Sequence, residues 1–205
     1  MVNKPWDIDL SVYSDEDELL TGLRRQEPAA CTCFLKAYAP SMLRLALRIT
    51  GDPDEAENVL QESFIAACNR IDTFNGLSSL NTWMYRIVLN NALMALRKKR
   101  PGLVSLDEHA EETGASAAWV ADHSAQPVEE ILNNELQESL NRALIGLPDT
   151  LRTAFVLRDV EGLSTREAAE VLDISESALK VRLHRARQAL REHLEPYVDA
   201  QATQG

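Results

Sequence analysis

Cysteine is scarce in this 205-residue chain: there are three, an odd number that argues against a disulfide framework. Cys31 and Cys33 are two residues apart, so on a helix they point about 200° apart and do not face one metal together. Cys68 is the only further thiol, and no histidine lies near the three. Small, reduced thiols with no metal role are the expected reading. The four histidines, His109, His123, His184 and His193, are scattered without nucleophile–base or metal-ligand spacing, and there is no glycine-rich phosphate loop. Neither an enzyme nor a bound cofactor is expected. No apolar run approaches the roughly 18 residues needed to span a bilayer. Met1 to Leu10 has no apolar segment behind a basic start, so no secretory signal is read and the cytoplasm is the expected location.

Aromatic residues make up only 5% of the chain, and β-branched alternation is absent. Apolar residues instead recur at three- and four-residue spacing almost throughout, which predicts an all-α fold. The net charge of −11 looks unsuited to nucleic acid, but the average hides segregation. From Leu103 to Ser139 there are nine acidic residues and no Lys or Arg. From Thr82 to Arg100 there are five bases (Arg86, Arg97, Lys98, Lys99, Arg100) and no acid. From Ser175 to Leu194 five bases (Lys180, Arg182, Arg185, Arg187, Arg191) face two acids. Two basic patches flanking an acidic segment suit a chain that meets polyanions at separate places.

Pro101-Gly102 and Gln126-Pro127 bracket a stretch rich in Ala, Ser, Glu and Asp. It predicts an acidic, flexible linker over 101–127, between an N-terminal domain (15–100) and a C-terminal one (128–195), with tails at 1–14 and 196–205. In the first domain Asp52 suits a helix N-cap, Pro53 the first helical position, and Asp54 and Glu55 the positive end of the dipole. Ala56, Val59, Leu60, Phe64, Ala67 and Ile71 form an apolar stripe down that helix. Asp54, Glu57, Gln61 and Glu62 lie on its other side, where an ordinary solvated face is the plainer explanation. A loop, Phe74 to Leu80, leads to a helix over Asn81–Lys99. Trp83 alone would more often be core than a base-stacking residue. Four consecutive bases, Arg97 to Arg100, exceed what favouring a helix C-terminus requires, so phosphate contact becomes competitive.

The C-terminal domain carries the sharper pattern. Leu151 to Val160 predicts a helix ended by Gly162. Ser164-Thr165-Arg166-Glu167 is a capping box opening a short helix with Ala168, Ala169, Val171 and Leu172 inside. Asp173-Ile174-Ser175 makes a turn, with Ile174 plugging the core and Ser175 capping the next helix. That helix buries Leu179, Leu183, Ala186 and Leu190 and exposes Lys180, His184, Arg185 and Gln188. A capped short helix, a three-residue turn and a basic amphipathic helix predict a helix-turn-helix that enters a DNA major groove. Arg182 and Arg187 can instead pair with acids of their own domain.

These segments resemble a known family. Leu147-Pro148-Asp149, Val160 to Ser164 and Leu179 to Arg187 look like the promoter −35 domain (region 4) of extracytoplasmic-function (ECF) sigma factors of the sigma-70 family. Gly51 to Glu62 and Thr82 to Ile87 resemble their region 2. The resemblance spans about residues 27–100 and 134–194, and implies a sigma factor that binds core RNA polymerase and directs promoter recognition, −10 melting and transcription initiation. It implies that Asp54, Glu57, Gln61 and Glu62 contact the polymerase β′ clamp, with the β subunit also a partner. It places a flipped −10 base in the loop holding Asn75, Ser78 and Ser79. It lays Trp83, Arg86, Asn90, Asn91, Arg97, Lys98, Lys99 and Arg100 along the melting strand. It assigns −35 contacts to Thr165, Arg166, Lys180, Val181, His184 and Arg185, and it implies an anti-sigma partner, with no membrane insertion.

Four positions depart from the family pattern. Asn58 stands where an aspartate is usual, Met94 replaces a common polar residue, Asp173 a frequent turn glycine, and Val181 a small polar residue of the reading helix. Two other functions stay open at this point. A sigma-like decoy that sequesters an anti-sigma factor would lack basic groups on the reading helix and after the −10 helix. A conventional helix-turn-helix operator binder would leave the region 2 block without a role.

Overall fold

The structure, a computed structural model, describes residues 13–99 and 134–202. The expected linker 101–127, Arg100, His109, His123 and the outer ends of both tails lie outside those residues. The chain divides into two compact units, Met1–Ala95 and Leu96–Gly205. All regular elements among the described residues are helical, and none of those helices is long and apolar enough to cross a membrane.

The first unit holds α1 (Glu16–Arg24), α2 (Pro28–Thr50), α3 (Pro53–Arg70) and most of α4 (Leu80–Lys99). Asp15 caps α1 by accepting from the Glu18 amide at 2.8 Å, and three acids fill its first turn, where the dipole favours them. Gln26, a non-glycine residue at φ 56°, turns the chain from α1 into α2. α2 and α3 then form a tight antiparallel hairpin around two residues. Gly51 ends α2 in the left-handed region (φ 71°), where a side chain would be strained. Asp52 starts α3 at once, accepting from the Asp54 and Glu55 amides at 3.1 and 3.2 Å.

The stripe expected on α3 is buried at Ala56, Val59, Phe64, Ala67 and Ile71, while Leu60 is half-buried. Phe64 meets Phe34 of α2 edge-on, with ring centroids 5.2 Å apart, and Met42, Leu45, Ala46 and Ile49 extend the same core along α2. α4 contributes Leu80, Met84, Tyr85, Val88, Leu89 and Ala92. A partly buried polar tie joins it to α3: Asn91 Nδ2 donates to Ser63 Oγ at 2.9 Å, and that hydroxyl donates to the Val59 carbonyl at 2.6 Å. A buried serine is tolerable here because its bonds are met inside the core.

In the second unit α5 (Asn134–Gly146), α6 (Asp149–Phe155) and α7 (Thr165–Leu172) all pack on the long α8 (Glu176–Ala202). The helix expected over Leu151–Val160 differs in kind. It starts at Asp149 after Pro148, and from Val156 to Val160 it widens into a single π-helical turn closed by Glu161 N donating to Val156 O at 2.8 Å. Gly162 then reverses the chain at φ 72°. Arg152 is fully buried in α6 and ion-pairs with Asp149 one turn earlier, an interior cation that periodicity alone reads as surface.

Removing the Asp52 cap tests how far this local chemistry supports the hairpin. Asp52→Ala is expected to cost about 1 kcal/mol and to lower the thermal midpoint of the N-terminal unit by several degrees in circular dichroism. A midpoint unchanged within error would show that the cap contributes nothing.

Candidate nucleic-acid interface

The helix-turn-helix is built from three caps in sequence. At its start Ser164 N donates to Glu167 Oε2 at 2.9 Å and Glu167 N donates to Ser164 Oγ at 3.2 Å, the reciprocal pair that the spacing predicts. α7 buries Ala168, Ala169 and Val171, small enough for close approach to α8. Asp173 ends it in the left-handed region (φ 54°, ψ 46°), and the Ile174 amide returns to the Ala169 carbonyl at 3.1 Å. Ser175 then caps α8, accepting from Ala178 N at 3.1 Å. Ile174, expected to plug the core, is only half-buried, because the turn itself carries it toward the surface.

On α8 the four predicted core residues, Leu179, Leu183, Ala186 and Leu190, are buried. Lys180, Val181, His184, Arg185 and Gln188 are exposed, and their spacing of one, three and four residues makes a single stripe. Arg187, also exposed on α8, is paired within its own unit. It grips Asp159 of the π-helical turn with two bonds, Nε to Oδ2 at 2.8 Å and an Nη to Oδ1 at 2.7 Å. The bidentate fork ties α8 to the end of α6. Among the described residues no ion pair involves Lys180 or Arg185, so their charges remain available to an outside anion. Arg166 is exposed and Thr165 half-buried on the first turn of α7.

In the N-terminal unit the loop before α4 is held at both ends and open between. Phe74 is buried with its ring 5.5 Å from that of half-buried Trp83, and its carbonyl accepts from an Arg24 Nη at 2.9 Å. At the far end Ser79 Oγ caps α4, accepting from Thr82 N at 3.1 Å, and the Leu80 amide donates to Glu16 Oε1 at 3.0 Å. Asn75 Oδ1 accepts from the Leu77 amide at 3.1 Å, forming an Asx turn, and Gly76 takes φ 72°. Asn75 and Leu77 are exposed and Ser78 half-buried. Arg86 is half-buried, Asn90 is exposed, and Arg97, Lys98 and Lys99 are exposed on the last turn of α4. Asn91 differs: its amide faces inward to Ser63.

The third surface is α3, where Asp54, Glu57, Gln61 and Glu62 are all exposed, with Asn58 among them. Sequence reasoning missed two apolar residues beside these surfaces. Ile65 is 63% exposed one turn beyond Gln61 and Glu62, and Leu77 is 82% exposed at the tip of the loop. The available signals were an isoleucine off the core stripe and a leucine inside an otherwise polar turn.

The comparisons with known proteins meet this geometry at both units. The family model described as Sigma-70 region 2 matches residues 34–101, and that described as Sigma-70, region 4 matches residues 137–190. The ECF RNA polymerase sigma factor SigW of Bacillus subtilis (strain 168) is 35% identical over 174 residues, 84% of this chain and 92% of that one. The RNA polymerase sigma-H factor of Pseudomonas aeruginosa is 31% identical over 188 residues, 88% of this chain and 94% of that one. Among solved structures, the sigma factor RpoE from Bartonella quintana, crystallised with the anti-sigma factor NepR, gives a TM-score of 0.60 at 23% identity, covering 78% of this chain and 94% of its own. CnrH, solved with the cytosolic domain of CnrY, gives 0.62 at 21%, covering 87% and 96%. Those two likenesses establish the fold. The chain belongs to the sigma-70 family, as an ECF sigma factor. Its function is that of an RNA polymerase sigma factor, a DNA-binding initiation subunit and not an enzyme.

Glu167 gives the site a pH signature. The hydrogen bonds it shares with Ser164, first through the hydroxyl and then through the backbone, hold its carboxyl below the ordinary range; nearby Arg166 assists and partial burial opposes. A carboxyl lowered in the folded state stabilises it above the unfolded value of roughly 4.3, and that contribution is lost as the pH falls through the lowered one. The Ser164 amide resonance should therefore titrate in NMR with a midpoint below that of an ordinary glutamate, and Glu167→Gln should abolish the transition. A midpoint at or above roughly 4.3 would contradict the cap.

Proposed function

We propose that the two units, taken as domains 15–100 and 128–195 joined by the acidic linker 101–127, divide the work of initiation among the surfaces described above. On α3 the exposed Asp54, Glu57, Gln61 and Glu62 dock on the β′ clamp of core polymerase, with Ile65 adding an apolar edge that such a contact would bury. The loop from Asn75 to Ser79 receives a −10 base turned out of the stack. Its ends are pinned while its tip is open, the combination a trap for a flipped base requires. Trp83 and Arg86 stand beside it, Asn90 faces outward, and Arg97, Lys98, Lys99 and Arg100 supply phosphate contacts further along. Asn91 acts through Ser63 as a structural tie rather than on DNA. The stripe of Lys180, Val181, His184 and Arg185, with Thr165 and Arg166 at the start of α7, reads the −35 duplex.

One observation carries this reading. Arg187 is neutralised inside its own unit by Asp159, while Lys180 and Arg185 present open charge on the same helix. A decoy that never touches DNA has no use for that separation. The working compartment is the cytoplasm, where core polymerase and promoter DNA are found, and an anti-sigma factor is the expected inhibitor.

Run-off transcription with core polymerase, on promoters mapped by sequencing transcripts induced on overexpression, tests the whole. Promoter-dependent product is expected, and its absence would sink the proposal. Lys180→Ala with Arg185→Ala should cut product about tenfold or more. The same pair should reduce the salt dependence of promoter binding by roughly one slope unit for each phosphate that is no longer neutralised. Arg187→Ala should behave differently. It should destabilise the C-terminal unit by about 1 kcal/mol and leave the salt slope unchanged, because its charge is already neutralised by Asp159. An equal reduction of slope in that variant would place Arg187 on DNA.

A further inference from the structure

The α2–α3 hairpin brings together two cysteines that are 37 positions apart in the chain. Its register is set by Phe34 and Phe64, whose rings touch across the helix pair. Cys31 lies three residues before Phe34 and Cys68 four residues after Phe64. In an antiparallel pair both steps move about one turn toward the same open end, on the same facing side. That register sets the two thiols side by side, near enough for Cys31 to bear on the Cys68 thiol. Cys31 is half-buried and Cys68 exposed, so a small oxidant reaches the pair from solvent. Cys33 has no part in this, being buried and on the far side of α2.

We propose that Cys31 and Cys68 are an oxidative modification site, closing a reversible disulfide across the open end of the α2–α3 hairpin when a hydroperoxide is present. The Cys31 thiolate attacks one oxygen of hydrogen peroxide and breaks the O–O bond, giving a sulfenic acid and, with the thiol's proton, one water. The Cys68 sulfur then attacks the sulfenic sulfur, and the hydroxide it displaces leaves with the Cys68 proton as a second water. The two thiols lose two electrons and two protons, and the peroxide is reduced to two waters. Partial burial, and Cys31 alongside, push the Cys68 thiol up. Cys68 is therefore the poorer first nucleophile; held beside Cys31 by the helix register, it acts as the resolving partner without having to diffuse. A cellular dithiol returns the pair to the open form.

The closed form should be harder to unfold, because the bond constrains a loop of about 37 residues in the unfolded chain. The full-length protein, treated with hydrogen peroxide and digested without reduction, should yield a Cys31–Cys68 peptide by mass spectrometry that disappears with dithiothreitol. The oxidised protein should melt about 5 °C or more above the reduced form. Cys68→Ser, at an exposed position, should show neither effect, and Cys31→Ser should likewise lose the cross-link. Sulfinic or sulfonic acid on Cys68 with Cys31 intact would overturn the proposal. So would a disulfide joining two chains, or an intramolecular one that leaves the melting point unchanged.

Discussion

At Asp173 the backbone enters the left-handed region for a single residue, and that residue decides where α8 points. A helix cannot cross its predecessor at a steep angle unless the chain between them reverses within a few residues. Here the reversal takes one left-handed position, one half-buried isoleucine and one capping serine. Asp in this conformation costs about 1 kcal/mol relative to Gly. The cost is offset by the two caps that flank it, Ser164–Glu167 before α7 and Ser175 before α8, each worth about 1 kcal/mol. Because α5, α6 and α7 all rest on α8, an error in this turn would disturb the whole unit and not only the exposed stripe of α8.

The Asp159–Arg187 pair supplies the second constraint on α8. The π-helical turn places Asp159 beyond the regular end of α6, where an uninterrupted α-helix would have carried it to a different angle around the axis. Arg187 meets it with a rigid fork, which limits rotation of α8 about its own axis as well as translation. Lys180, Val181, His184 and Arg185 are thereby presented on one fixed azimuth. Asp173 sets the direction of the helix and Asp159 sets its rotation, the two settings that a groove-reading helix would require. The N-terminal unit relies on a different device. Gly51 and Asp52 end one helix and begin the next within two residues, so α2 and α3 pack along their length and hold a polar face, a core face and a thiol pair in one register.

Much of this is legible in the residues themselves. Caps announce themselves because they use a few side-chain types at fixed offsets, so Asp52, Ser164 with Glu167, and Ser175 follow from spacing alone. The stripe on α8 follows from its period. What periodicity does not encode is how far a stripe is covered by its neighbours, which is why Leu60 and Ile174 are half-buried. Nor does it report a widening of the helix: Val156 to Val160 carries no local signal for a π turn, and Arg152 looks like any surface arginine until the unit is packed around it. The Cys31–Cys68 juxtaposition depends on the Phe34–Phe64 register, a tertiary fact. On a single helix the nearer pair, Cys31 and Cys33, draws the eye and is the one that geometry excludes. For the interfaces, the exposed basic and acidic residues are visible in the sequence, whereas the inward turn of Asn91 needs the position of Ser63.

The net charge of −11 sets the field in which both basic clusters work. Phosphate contact gains by releasing counterions, and an acidic protein of this size loses part of that gain to long-range repulsion. The two basic clusters are therefore local exceptions, each a few residues wide, in a field that opposes DNA. At physiological ionic strength the Debye length is about 8 Å. On the proposed reading, a cluster on the outer stripe of α8 would feel DNA phosphates at contact distance, while charges more than a Debye length away would be largely screened. Such an arrangement gives weak capture and retains selectivity at contact. It suits a subunit whose affinity for promoter DNA is supplied mainly by the polymerase that carries it, since a strongly basic chain of the same fold would be held on non-specific DNA before it reached the enzyme.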